Sequence, residues 1–181
     1  ERLGAQVQQG DRPGDDALIV VTPLGEDATT AACEQGLDAR RTVAVDILHG
    51  LPEGRRRTLM ATPLTAQAWR DAAVARFSSD GAPVTLVQDS PGFVAQRIVA
   101  TIVNIACDIA QQGIATPEDI DRAVALGLGY PKGPLAMGDA LGTARIVEIL
   151  RNIVRVTGDM RYRPSLWLQR RAQLGMSLLD R

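Results

Sequence analysis

Aromatic residues are scarce in this sequence of 181 residues, where phenylalanine, tryptophan and tyrosine together make up 3%. Hydrophobic residues of all kinds make up 45%, so a core can form, but its side chains must be mostly aliphatic. Histidine is scarcer still. His49 is the only one, so any imidazole acid–base chemistry must use it. The 17 glycines and 10 prolines are too few for a low-complexity or disordered chain.

Neither sign of charge is in excess. The 20 lysine and arginine residues against 21 aspartate and glutamate residues give a net charge of −1. The field of the whole chain therefore offers no attraction to nucleic acid or to an anionic membrane, and neither is expected as a partner.

Cysteines and long apolar runs are also few. Cys33 and Cys107 occur without a CxxC pair or a Cys/His cluster. This pattern argues against a disulfide framework or a zinc site and predicts a reducing, cytoplasmic location. The apolar runs fall far short of the ~18–20 residues that cross a bilayer, and no signal peptide precedes the first predicted strand. Because the sequence starts with Glu1 rather than methionine, we expect a fragment of a longer protein.

The first half of the sequence alternates strand and helix patterns. Apolar runs predict strands at 17–21, 42–48, 58–62 and 83–87, with helices at 26–36 and 65–79 between them. The run Ala17–Val21 is apolar throughout, which predicts a strand buried on both faces of a parallel sheet. Strands separated by helices indicate layered α/β structure.

The chain after residue 90 predicts helices alone. A long helix at 91–112 carries a wide apolar stripe, and Gly113 ends it. Thr116 and Pro117 then form a helix start, a further helix follows Gly142, and the last helical stretch contains Trp167. The stripe on the long helix comprises Phe93, Val94, Ile98, Ile102, Ile105, Ala106 and Ile109. The predicted fold class is therefore mixed α/β followed by all-α.

Three features resemble functional motifs only superficially. The glycine cluster Gly127–Gly133 follows a helix rather than a strand, which favours a turn between helices over a phosphate loop. His49 follows a strand without an adjacent carboxylate or nucleophile, which favours a loop residue over a catalytic base. The run Arg55–Arg57 fits a solvated turn better than a phosphate or CoA contact. No metal site and no cofactor site are expected from this chain alone.

Several motifs in the second half resemble the 3-hydroxyacyl-CoA dehydrogenase family in the right order. The family patterns are D-x-P-G-F-x-x-N-R, E-D-I-D, L-G-x-G-Y-P-x-G-P and D-x-x-G. The matching segments are Asp89–Arg97, Glu118–Asp121, Leu126–Leu135 and Asp139–Gly142. The resemblance implies that residues 1–88 are a partial, degenerate nucleotide-binding piece of Rossmann-like type. It also implies that residues 89–181 are a helical carboxy-terminal domain of 6-phosphogluconate-dehydrogenase-like type.

The resemblance also implies which positions carry chemistry. Family members use a histidine polarised by a glutamate as the base, with an asparagine nearby. An ungapped count from Asp89 puts these three positions at Asp46, Thr58 and Gln96, so all three are substituted. His49 is the fallback base, reached only by a shifted alignment. The substrate-binding positions that the resemblance implies are Phe93, Gln96, Arg97 and Tyr130.

The resemblance therefore predicts the carboxy-terminal portion of an NAD-dependent bacterial 3-hydroxyacyl-CoA dehydrogenase of fatty-acid metabolism, as a degenerate second copy. The parent would bind NAD and acyl-CoA, whereas this segment would form a homodimer and close the acyl-CoA groove. Two alternatives stay open. One is a purely structural oligomerisation module, and the other is an autonomous acyl-CoA-binding or catalytic unit that uses His49.

Overall fold

The computed structural model describes residues 3–8 and 12–180. The chain divides into two compact units, Glu1–Phe93 and Val94–Arg181, slightly beyond the predicted boundary at 88/89. Within the described residues, the first unit contains a four-stranded sheet with two α-helices, and the second contains only helices. The predicted change from α/β to all-α structure is confirmed.

The first unit follows the predicted order of strands and helices. Its strands pair in sequence order, with β1–β2 and β3–β4 parallel and β2–β3 antiparallel. The chain reverses between β2 and β3 because residues 46–56 contain no helix, and a parallel crossover usually needs one. The elements are β1 Ile19–Val21, α1 Ala28–Glu34, β2 Thr42–Val45, β3 Arg57–Ala61, α2 Gln67–Phe77 and β4 Val84–Val87.

Side chains on the two faces of the sheet form two separate apolar cores. On one face, sheet residues such as Met60 pack with α1 and with Phe93. On the other face, residues such as Leu59 pack with Phe77 of α2. The predicted burial of the first strand on both faces is wrong, because Val20 is 42% exposed. The physical reason is position: β1 is an edge strand, and α2 packs on β2, β3 and β4 instead.

The second unit contains five α-helices among the described residues. Thr116 caps α4 as predicted, its side chain accepting a hydrogen bond from the backbone N–H of Asp119. The glycine cluster is a turn between helices, as predicted: Gly129 ends α4 in the left-handed region, and Gly133 precedes a helix that the sequence did not predict. The helices are α3 Ala95–Gln111, α4 Pro117–Leu128, α5 Pro134–Leu141, α6 Thr143–Thr157 and α7 Leu166–Leu174.

The long helix α3 buries only part of the predicted apolar stripe against the neighbouring helices. Its buried face consists of small or polar side chains, whereas Val94, Ile98 and Ile105 of the predicted stripe are about half exposed. Small side chains let α5, α6 and α7 approach the α3 backbone closely, which isoleucines would prevent. The buried positions are Gln96, Ala100, Val103, Asn104, Ala106, Cys107 and Ala110.

Asp121 of α4 joins α4 to the start of α5. Its carboxylate accepts hydrogen bonds from the backbone N–H groups of Leu135, at 2.7 Å, and Ala136, at 2.9 Å. These N–H groups have no partner inside the helix, so the carboxylate caps it from a distance. A Cβ atom on Gly133 would lie 2.2 Å from the Asp121 side chain, so this position must be glycine.

We predict that Asp121→Ala lowers the free energy of unfolding by about 1–2 kcal/mol, because two helix N–H groups lose a charged acceptor. Urea denaturation followed by circular dichroism measures the change. Arg122→Ala, at the exposed next position on α4, is the matched control and should stay within about 0.5 kcal/mol of the wild type. Equal losses in the two variants would contradict the capping role.

Candidate functional site

The two positions that the ungapped count assigns to the family's base and its glutamate lie opposite each other. Val45 pairs with Leu59 in the antiparallel β2–β3 ladder, and the next step brings Asp46 opposite Thr58. The Asp46 N–H donates a 3.0 Å hydrogen bond to the Thr58 carbonyl. Directly opposed side chains share one face of a sheet, with Cβ atoms roughly 5 Å apart. The ungapped count therefore brings together two side chains that could interact as a base and its polarising partner.

Aspartate and threonine cannot perform that base chemistry. Neither side chain is an imidazole, and a threonine hydroxyl lacks the charge with which a glutamate polarises one. The Asp46 carboxylate instead accepts a 2.9 Å hydrogen bond from the Leu48 N–H and so shapes the turn after β2. The pair therefore lacks the base and the partner that the resemblance implies.

His49 lies outside the ladder that aligns Asp46 with Thr58. It is exposed in a turn that the Gly50 N–H closes on the Ile47 carbonyl at 3.0 Å. The shifted alignment would therefore move the base from the paired ladder position to a solvent-exposed turn. The structure brings Asp46 and Thr58 together and places His49 three residues further along the chain.

The arginine run after this turn is only partly solvated. Arg55 and Arg56 are exposed as predicted, but Arg57 begins β3, is 4% exposed and forms a bidentate pair with Asp80 at 2.8 and 2.5 Å. Hydrogen bonding from Arg57 lowers the pKa of Asp80 to about 2 against the opposing effect of burial. Arg57 is therefore a structural residue that ties β3 to the end of α2, and the prediction of a wholly solvated turn is wrong.

The start of α1 carries backbone N–H donors of the general kind that bind phosphate groups at helix N-termini. Here the carboxylate of Asp89 accepts hydrogen bonds from the N–H groups of Ala28, at 2.8 Å, and Thr29, at 3.2 Å, and from the Thr29 hydroxyl. Asp27 accepts from the Thr30 N–H at 2.6 Å. Because carboxylates already occupy these donors, α1 does not fit the phosphates of NAD.

The segment that leads into α3 has a strained backbone. Gly92 and Phe93 both lie in the left-handed region, with φ of 77° and 47°, and Phe93 is the non-glycine residue in that region among those described. Its ring is 3% exposed and packs against Met60 and Ala28 in the first unit. Burial of the ring compensates for the unfavourable backbone conformation.

The other implied substrate-binding residues lie in the second unit. Gln96 is fully buried in α3. Arg97 is half-buried, and its guanidinium lies 5.9 Å from the centre of the Tyr162 ring. Tyr130 is half-buried in the turn after α4. The sequence did not indicate the contact between Arg97 and Tyr162, because 65 positions separate them and no single motif contains both.

The aspartates of the family-like motifs have structural partners that sequence reasoning missed. Asp89 caps α1, Asp121 caps α5, and Asp139 accepts hydrogen bonds from Ser177 and Leu178. Each donor lies 14 or more positions away from its acceptor, so no local capping pattern could have revealed the pairs. These motifs therefore have a physical explanation that does not require catalysis.

Residues 3–8 and 12–180 contain no candidate metal site and no candidate membrane span. Within those residues, no three His, Cys, Asp or Glu side chains group closely enough to hold a metal ion. No helix in the same part of the chain combines the length and hydropathy that a membrane span requires.

Comparison with known proteins identifies the protein family of the second unit. Residues 92–177 match the family described as "3-hydroxyacyl-CoA dehydrogenase, C-terminal domain". The second unit is thus a helical domain of that family, as the motifs implied.

Individual relatives agree with this class. The chain is 37% identical over 160 residues to 3-hydroxyadipyl-CoA dehydrogenase of Escherichia coli K12, covering 88% of the chain and 32% of that relative. A crystal structure of 3-hydroxybutyryl-CoA dehydrogenase from E. coli K12 has a TM-score of 0.74 at 34% identity, over 86% of the chain and 31% of that protein. (S)-3-hydroxybutyryl-CoA dehydrogenase from Ralstonia eutropha has the same fold, with a TM-score of 0.79 at 24% identity over 90% of the chain and 57% of that protein. The chain spans about a third of the length of the E. coli relatives.

We predict that the double variant Asp46→His with Thr58→Glu has an imidazole pKa about one unit higher than Asp46→His alone, because an opposed carboxylate stabilises the imidazolium. Proton NMR titration measures both pKa values, and His49 provides the one other histidine signal. The same pKa at position 46 in the single and double variants would show that the two positions are not paired.

Proposed function

We propose that this chain is the carboxy-terminal portion of an NAD-dependent 3-hydroxyacyl-CoA dehydrogenase and lacks that enzyme's catalytic residues. The parent protein would oxidise a 3-hydroxyacyl-CoA to the 3-oxoacyl-CoA, in fatty-acid metabolism and in the cytoplasm. The second unit would serve dimerisation and closure of the acyl-CoA groove, and would have the 6-phosphogluconate-dehydrogenase-like topology. In that groove, Phe93, Gln96, Arg97 and Tyr130 are the proposed substrate contacts.

The observation that carries the proposed inactivity is the opposed pair at the end of β2. Asp46 and Thr58 occupy positions where a histidine and a glutamate could polarise each other. Neither residue is an imidazole, and neither is the glutamate that would polarise one. The absence of a glycine-rich loop before α1 supports the same proposal from the cofactor side, and Asp89 accepts hydrogen bonds from the first N–H groups of that helix.

The lengths of the relatives support a second, degenerate copy. The 160 aligned residues are 32% of the E. coli 3-hydroxyadipyl-CoA dehydrogenase, which is therefore about 500 residues long. The Ralstonia protein, of which 57% is matched by 90% of this chain, has about 285 residues. The longer relative has room for one unit of the shorter kind and a further partial one, and this chain would correspond to the partial one.

The outward face of α3 supports dimerisation. Val94, Ile98 and Ile105 lie within one arc of the helix, and each is more than half exposed. Half-buried Ile102 and Ile109 continue the same stripe. A contiguous aliphatic stripe of this kind is typical of a helix that packs against a second subunit.

We predict that the purified chain produces no NADH above background from 3-hydroxybutyryl-CoA and NAD⁺, measured by absorbance at the wavelength specific to NADH. Substrate oxidation that His49→Ala abolishes would support the autonomous enzyme instead. Calorimetric titration with acetoacetyl-CoA then separates the remaining possibilities. Heat that saturates at micromolar ligand supports groove closure, and its absence supports the purely structural module.

We predict that the chain sediments as a dimer in analytical ultracentrifugation and that Ile98→Asp with Ile105→Asp converts it to a monomer, because buried charges at an apolar interface are unfavourable. Leu174→Asp is the matched control, since Leu174 is 71% exposed and belongs to α7 rather than to the α3 stripe. A wild-type monomer at high concentration, or an unchanged dimer in the double variant, would contradict the proposed interface.

A further inference from the structure

The four residues Ser177–Asp180, which we call the 177–180 segment, are held by side chains of α5 and α7. Asp139 of α5 accepts hydrogen bonds from the Ser177 hydroxyl and, at 2.9 Å, from the Leu178 N–H. The indole N–H of Trp167 donates to the Leu178 carbonyl at 3.1 Å, and the Arg171 guanidinium donates to the Asp180 carbonyl at 2.6 Å. Hydrogen bonds to its backbone groups therefore hold the segment in place, although it is not part of a helix.

Leu178 fills an apolar seam between α3 and α5. Its side chain is fully buried. A Cβ atom on Gly138 would lie 2.6 Å from the Leu178 side chain and 2.7 Å from that of Val103. The seam thus exists because position 138 has no side chain, and Leu178 occupies the space that this glycine leaves. Without Leu178, the apolar surfaces of Val103 and Gly138 would face solvent.

Cys107 lies on the same buried face of α3 as Val103. It follows Val103 by one turn of the helix and is fully buried. Burial raises the pKa of its thiol to about 12. The charge of Arg171 lowers that pKa, and the charge of Asp139 raises it. Among the described residues, Cys107 is buried and Cys33 is exposed, which makes Cys107 a reporter of access to the seam.

Two opposing effects act on the docked segment. Burial of Leu178 favours docking. Arg171 opposes it, because its guanidinium is 9% exposed and stacks 3.2 Å from the centre of the Trp167 ring. Its Nε has no hydrogen-bond partner among the described residues. The Arg171 guanidinium regains hydration when the 177–180 segment moves away from it. This gain in solvation free energy offsets part of the free energy lost when Leu178 becomes exposed.

We propose that the 177–180 segment is a plug that opens as a unit while α3 to α7 stay folded, exposing an apolar seam formed by Val103, Cys107 and Gly138. Opening breaks the hydrogen bonds to Asp139, Trp167 and Arg171 together, because all of them end on four consecutive residues. Local opening of this kind is typical of short segments that lie outside helices and strands and make few contacts.

The test measures the rate at which Cys107 reacts with a thiol reagent in a Cys33→Ser background. When closing is faster than labelling, the rate is the product of the opening equilibrium and the intrinsic thiol reactivity. We expect Asp139→Asn to accelerate labelling about tenfold or more, because two hydrogen bonds lose their charged acceptor. Trp167→Phe keeps the aromatic stack on Arg171 and should accelerate labelling by a smaller factor.

Denaturant dependence distinguishes local opening from global unfolding. Opening of four residues exposes little surface, so labelling of Cys107 should depend only weakly on urea. Ile153→Val is the matched control: it removes a methyl group from a fully buried side chain of α6 and should change labelling only at high urea. If labelling of wild type and Asp139→Asn follows urea as steeply as global unfolding does, the segment is an integral part of the core and the plug is refuted.

Discussion

Carboxylates that accept hydrogen bonds from the first N–H groups of a helix distant in sequence stabilise both units of this chain. Asp89 does this for α1 in the first unit, and Asp121 does it for α5 in the second. The start of a helix carries partial positive charge and unpaired donors, so one carboxylate satisfies two donors at once. Each contact also fixes the position of a whole segment relative to the helix it caps.

The close approach of backbones depends on these caps. Gly133 must lack a side chain because Asp121 occupies the space where its Cβ would be. Gly138, five residues further along the chain, lacks one because Val103 and Leu178 pack there. The motifs that resemble a dehydrogenase family thus combine a carboxylate with a glycine for steric reasons, so their presence does not by itself require catalysis.

The same interaction has a chemical consequence in the first unit. A helix start that holds Asp89 cannot also hold a dinucleotide phosphate, since both require the same N–H groups. The opposed positions at the end of β2 carry Asp46 and Thr58, which do not form a base and its polarising partner. The proposed structural role of this chain rests on these substitutions and on the capped helix start.

Local patterns predicted much of the fold. The strands, the helices α1 and α2, and the cap at Thr116 were all predicted from hydrophobic period and capping residues. Three features of the fold were not predicted from the sequence. Helix α5 has only eight residues between glycines, the inward face of α3 depends on which side chains let neighbours approach, and Val20 is exposed because β1 lies at an edge. Each depends on contacts between distant residues, which a single sequence does not contain.

The contacts around the candidate site could not be predicted. The ungapped count selected Asp46 and Thr58 without any indication that the antiparallel β2–β3 pairing brings them opposite each other. Arg57 pairs with Asp80, 23 positions away, and Asp89 accepts from Ala28 of α1, 61 positions away. The sequence carries no local signal for either contact.

The central claim is that the α/β unit has no dinucleotide site of its own, because it has no glycine-rich loop and the start of α1 is capped by Asp89. Isothermal titration of the chain with NAD⁺ tests it most directly, without any need for substrate or turnover. The account predicts no saturable heat up to millimolar NAD⁺. Saturable NAD⁺ binding that ADP-ribose competes away would contradict it, because the chain would then bind the dinucleotide phosphates by itself.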